Sequence, residues 1–315
     1  MTQINIRFPE DNPFSRIKLR HIFGWWFLLA TGIYFQIVMI GSTRGIKFDS
    51  KTRFDPLVDA IVGTYLTILL LALVWRQCRL AGIEIKYLVG KVPDRYQWLS
   101  LVGLAIASVV FALGVFRIFY YTLSFIVPSF VEKILIDNRN SSILIAGSKS
   151  FSPALYYLIC AINTSTISCI YNAFIMISIL LHRWIAKWGK TRAMIVFFLL
   201  PLIGYDNFIY YVITTLINAI LYVKTRSLLV LIIFMALKNI SWGIWNVSYT
   251  TFLDNQAGST LEIFRSQIQL GVLFFALSAP WLIGFIYKNW SVLKGPLPYF
   301  ANAAEAEKIK ADSET

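Results

Sequence analysis

Lys238 and Asn239 stand inside the apolar run Ser227–Trp245, "SLLVLIIFMALKNISWGIW". A charge at mid-bilayer costs at least ~2.5–3.5 kcal/mol on insertion scales. Such a residue either serves a site or is held by a partner. Counted along its helix, Lys238 lies ~17 Å from the basic start of that run, and Asp206 lies ~20 Å from the start of its own. Antiparallel neighbours would bring the ammonium and the carboxylate to one depth, so an intramembrane Lys238–Asp206 ion pair is expected. Its two readings are a tie between helices and a polar ligand or proton site. Asn207, Asn218 and Asn239 are the other polar residues that converge on this level.

Other chemistry is thinly supplied. The chain has two histidines, His21 and His182, and both read as interfacial residues with a wet ring edge. No HExxH, ExxH, CxxC, GxSxG, Walker or GxGxxG pattern occurs. A catalytic zinc wants about three protein ligands and an open position, and the sequence offers no such set, so neither a metal nor another cofactor is expected. A serine–lysine dyad through Lys238 would need Ser241 or Ser248, and neither has a context that singles it out. Cys78, Cys160 and Cys169 lack metal or disulfide spacing and read as small apolar side chains.

The elements that must carry these residues are membrane helices. Of 315 residues, 57% are hydrophobic and 14% charged, against about 25% charged in soluble domains; mean hydropathy is +0.65. The fold class expected is an all-α polytopic transmembrane helix bundle of about eight spans: 23–41, 58–75, 97–116, 154–181, 193–205, 208–223, 227–245 and 268–287. The third run continues toward Phe130. The fifth and sixth are either two short helices broken near Gly204 or one long kinked helix. The first run lacks a small-residue cleavage site and reads as a retained helix.

The net charge of +13 is carried in short segments between apolar runs, which is a topology signal and argues against nucleic acid. With eight spans, 19 Lys and Arg fall on the N-terminal side and 8 on the other, which predicts N-in/C-in. Arg117 falls near the outer interface, where it can snorkel. The basic segments 76–95 and 183–192 would attract anionic lipid or an acidic protein. Four regions follow: a cytoplasmic amphipathic N-terminus, 1–22; N-terminal membrane helices and loops, 23–153; a helical core, 154–290; and a polar tail, 291–315, whose last stretch, "ANAAEAEKIKADSET", reads as a frayed end. The segment 131–152 holds a short surface helix.

The stretch from His182 to Trp242, "HRWIAKWGKTRAMIVFFLLPLIGYDN…ILYVKTRSLLVLIIFMALKNISW", resembles the CPBP family, the CAAX-protease and bacteriocin-processing (Abi) membrane proteins. The resemblance covers about 75 of the 315 residues and rests on framework and spacing. Active members are membrane-embedded proteases in which a Glu-Glu-x-x-x-Arg motif, a Phe-x-x-x-His motif and a His-x-x-x-Asn motif activate water, as a metal site or a general-base site. Placed on this chain, the paired glutamates fall on Ala173 and Phe174 and the arginine on Ser178. Pro201 and Tyr205 take the phenylalanine and histidine positions. Met235 stands in place of the last histidine, and Asn239 alone matches.

The resemblance therefore implies a CPBP-like protein without catalytic groups. It would act by binding another membrane protein, a peptide or a hydrophobic ligand, in an adaptor, assembly or immunity-type role. Asp206, Lys238, Asn239, Tyr205 and Ser178 are its polar-core candidates. Rival readings are an intramembrane hydrolase with unusual catalytic groups and a small transporter using Lys238 and Asp206. The membrane expected is a bacterial inner membrane or an organelle or thylakoid membrane.

Overall fold

The computed structural model describes residues 12–43, 55–140, 143–199, 208–254 and 260–314, and those residues are helical with short connections. The helices are α1 Leu19–Thr43, α2 Pro56–Leu80, α3 Ile85–Val89, α4 Trp98–Ile126, α5 Pro128–Asn140 and α6 Ile143–Ser148. They continue as α7 Pro153–Trp188, α8 Lys190–Leu199, α9 Phe208–Thr225 and α10 Leu228–Asp254. The last are α11 Thr260–Ser266, α12 Ile268–Asn289 and α13 Pro298–Glu314. A six-residue stretch, Asn12 to Ile17, precedes α1 and contains a turn of 3-10 helix.

Six of the described helices are long and apolar enough to cross a bilayer: α1, α2, α4, α7, α10 and α12. The protein is thus an all-helical integral membrane protein. The run at 97–130 ends as a span at Ile126 because Pro128 disfavours helical geometry in the residue before it. The chain then restarts as α5, an amphipathic surface helix that seats Val131 against Tyr120 and Phe264. The described parts of the fifth and sixth expected runs are helical, in α8 with 10 residues and α9 with 18. Gly204, the expected break point, lies outside the described residues.

Helix α4 is the axis of the bundle and α1 its periphery. In their apolar windows 61% of α4 is buried and 11% of α1. Helix α4 packs most extensively on α12 because small residues let the backbones approach. A Cβ on Gly114 would sit 2.6 Å from the Phe275 nitrogen, and one on Gly271 would sit 2.6 Å from the Arg117 Cβ. Helix α1 meets α2 along Ala30, Val62 and Leu66 and through Trp26 Nε1–H, which donates to the Leu66 carbonyl at 3.0 Å. Its outer face, with Trp25, Phe27, Leu28 and Phe35, is exposed, as a lipid-facing surface would be.

Five basic chain segments converge on one end of the bundle. Arg183 donates to the Phe14 and Ser15 carbonyls at 3.1 and 3.2 Å. Lys190 donates to the Gly295 carbonyl at 2.5 Å, and burial holds its ammonium below the ordinary lysine range. Asn302 bridges the Tyr87 and Arg226 carbonyls at 2.8 and 3.0 Å. Gly90, at φ +62°, is required there, since a Cβ would lie 1.9 Å from the Arg226 oxygen. At the opposite end Asp55 caps α2 and accepts hydrogen bonds from Ser150 and from the Phe151 N–H.

Two expectations are corrected here. Arg117 is 4% exposed. It lies beside the Trp245 and Phe274 rings and donates to Gln267, so bundle contacts hold it. The tail forms a helix, α13, whose first turn buries Tyr299 against the bundle.

Candidate functional site

The sequence candidates separate into two polar assemblies, one at mid-depth and one at the basic end.

The mid-depth assembly is built on α7. This helix widens into π turns at Asn163–Ile167 and Asn172–Ile179. The run Asn163-Thr-Ser-Thr supplies short side chains that compete for backbone carbonyls. Thr164 and Ser165 hydroxyls donate back to Cys160 and Ala161 at 2.7 and 2.5 Å. Asn172 donates to the Ser168 carbonyl at 2.8 Å. The Thr164 carbonyl is left facing α10, where the Asn239 amide donates to it at 2.7 Å and lies 3.4 Å from Cys169 Sγ. The Cys169 thiol donates to the same carbonyl at 3.2 Å. Cys169 is therefore part of the polar centre, although the sequence reads it as a small apolar side chain.

Lys238, about 15 Å along α10 from Leu228, is half-buried, with its ammonium 5.7 Å from the centre of the Tyr210 ring. That range suits a cation–π contact. Trp242, one turn on, stacks on the same tyrosine at 6.4 Å and 13° and is itself 36% exposed. Lys238 is thus held between α9 and α10, next to a face of α10 that opens outward. Asp206 and Tyr205, the other two candidates for this level, lie outside the described residues.

Ser178 is not with them. It belongs to the basic-end assembly, four residues before His182 on α7. His182 is fully buried, which corrects the expectation of a wet ring edge. Its Nδ1 lies 2.7 Å from the Ser178 carbonyl, and its Nε2 accepts from the Tyr299 N–H at 3.4 Å. A carbonyl only accepts, so these partners assign the proton to Nδ1. Phe14 stacks on the imidazole at 4.7 Å, with Tyr299 set edge-on to the Phe14 ring at 5.1 Å. Ser178 Oγ pairs with the Tyr222 hydroxyl at 2.9 Å, and that hydroxyl donates to the Leu88 carbonyl at 3.3 Å.

The arrangement has little capacity for catalysis. Both nitrogens of His182 engage backbone groups, and the neighbouring serine bonds a phenol that serves a carbonyl. Neither ring nitrogen faces a nucleophile, as base catalysis requires. Among the described residues no group of three His, Cys, Asp or Glu comes together that could hold a metal. Ala173, Phe174 and Met235, on positions where the CPBP resemblance puts catalytic groups, are buried apolar side chains of the core.

Phe14, Tyr222 and Tyr299 were missed in the sequence because aromatic residues are common in such chains. The i, i+4 spacing of Ser178 and His182 on one helix face was the readable signal. Comparison with family models, with curated proteins and with solved structures gives no match.

Proposed function

We propose that this chain is a non-catalytic, CPBP-like membrane protein that acts by binding a membrane protein, a peptide or a hydrophobic ligand. The observation that carries the reading is the engagement of His182: the one histidine of the helical core spends both nitrogens on backbone groups. Asn239, the residue that fits the family motif, bonds a widened turn of α7 and so braces the centre that catalytic groups would occupy in an active member.

In this reading Lys238 pairs with Asp206 and ties the bundle at mid-depth. The side of α10 that carries Lys238 and, one turn on, the 36% exposed Trp242 is where a membrane-embedded partner would meet α10. The topology is N-in/C-in. The convergence of the N-terminal stretch, the α2–α4 connection, the α7–α8 elbow, the α9–α10 turn and the start of α13 on one end supports it, as does the even number of long helices. Helices α8 and α9 enter and leave from that end, as two short spans within an eight-span count. The host is a bacterial inner membrane or an organelle membrane.

The test is a photo-crosslinking residue at Trp242, introduced in the native membrane. A single adduct of defined mass, reduced when a second change, Asn239→Leu, disturbs the centre, supports the reading. Cleavage of a membrane-embedded peptide by the purified protein, abolished by Lys238→Met, overturns it.

A further inference from the structure

The basic end carries a positive surface at the elbow between α7 and α8. Gly189, at φ +75°, turns the chain there. Arg183, Lys187, Lys190 and Arg192 surround it, and the sequence from Asn138 to Tyr205 contains no acidic residue. Contacts extend the same charge beyond the elbow. The bond from Lys190 to the Gly295 carbonyl brings Lys294 alongside. Lys187, Arg192 and Lys294 are exposed.

Aromatic and apolar groups follow in order along the same hairpin. Trp184 and Trp188 stack at 5.6 Å, with the Lys187 ammonium 5.7 Å from the Trp188 ring centre. Beyond them α8 presents Ile195, Val196 and Leu199, all exposed. Cations, then indoles, then aliphatic side chains match the layers of a bilayer interface: phosphate, glycerol region and acyl chains. An acidic soluble protein would meet the cations but leave the aliphatic flank of α8 without cover.

We infer that the α7–α8 elbow is a retention site for anionic phospholipid, with the headgroup phosphate on Lys187, Arg192 and Lys294 and the acyl chains along α8. This inference stands apart from the binding reading above. It rests on the surface charge and the order of residue types, and it does not involve Lys238 or Asn239.

The experiment uses the full chain reconstituted in phosphatidylcholine bilayers containing a trace of spin-labelled phosphatidylglycerol or spin-labelled phosphatidylcholine. The motionally restricted fraction gives the relative association of the two labels. The expected preference for phosphatidylglycerol is at least about threefold at low salt, falling as salt is raised. The triple change Lys187→Gln, Arg192→Gln, Lys294→Gln avoids the carbonyl-bonded Arg183 and Lys190, and it should bring the ratio close to one. The control pair Lys133→Gln, Lys149→Gln, near the opposite end, should leave the ratio unchanged. A wild-type ratio of one, or a ratio that falls only in the control, overturns the proposal.

Discussion

The basic end and the mid-depth centre of this bundle satisfy their polar groups by different means. At the basic end, His182, Ser178 and Tyr222 bond backbone groups and each other, and aromatic rings close over them. That assembly needs no formal charge, and it joins residues from Phe14 to Tyr299. At mid-depth a cation stands beside an aromatic face, and an amide and a thiol share one carbonyl of a widened helix. A neutral network is satisfied wherever its donors find acceptors. A charge in a low-dielectric layer depends on one specific neighbour, so the mid-depth centre is the more easily broken by a single change and the more easily repaired by a second.

The largest single-site loss expected from side-chain packing is Phe14→Ala. The ring is fully buried against His182, Tyr299 and Phe300, and removing such a side chain costs ~3–5 kcal/mol. The apparent Tm in mild detergent should fall by several degrees, and trypsin cleavage after Arg16, already exposed, should speed up as the stretch around it loosens. An unchanged Tm would mean that the N-terminal stretch does not close the basic end. Asn239→Leu should cost less, about 1 kcal/mol, the scale of an interhelical hydrogen bond in membranes. Its signature is greater alkylation of Cys169, whose partner carbonyl then lacks the amide. Equal alkylation in both proteins would separate Asn239 from the centre. Tyr222→Phe removes the hydroxyl between Ser178 and Leu88 and should cost about 1 kcal/mol without altering Cys169 alkylation. A change in that alkylation would show the two assemblies to be one.

The smallest effect is on pH dependence. Burial raises the Tyr299 phenol above its ordinary value. A raised phenol favours the protonated form in the fold, so its contribution is complete below about pH 10, the ordinary phenol value, and is lost as the pH climbs through the raised value. Tyr299→Phe should flatten this alkaline limb and leave stability near neutrality almost unchanged. A limb of the same slope in both proteins would place the titrating group elsewhere.

The membrane bundle was legible because apolar runs of span length and low charge admit few alternatives. The spans around α2, α4, α7, α10 and α12 fall where the hydropathy places them, with ends shifted by caps such as Asp55 and stops such as Pro128. Of the fifth run, 193–205, only the part up to Leu199 falls among the described residues, as the latter part of α8. Lys238 and Asn239 were legible as exceptions inside an apolar run. His182 was misread because its burial depends on Phe14 and Tyr299, more than a hundred residues away in each direction. Nothing local in "LLHRWIAKW" reports that a distant aromatic covers the ring. The π turns of α7 were illegible for a similar reason. No sequence pattern at Asn163, Thr164 and Ser165 announces a widened turn, and the donor that meets its carbonyl, Asn239, lies 75 residues away.

The central claim is that the mid-depth groups tie helices and carry no chemistry, and a double-mutant cycle on Lys238 and Asp206 tests it most directly. Unfolding of purified protein in mild detergent is followed for Lys238→Met, Asp206→Asn and the double variant, alongside crosslinking from Trp242. Each single change is expected to cost ~3–5 kcal/mol by stranding a buried charge, with most of that recovered in the double variant and the Trp242 adduct retained. A double variant as unstable as the sum of the singles, or one that is stable but has lost the adduct, would contradict the account.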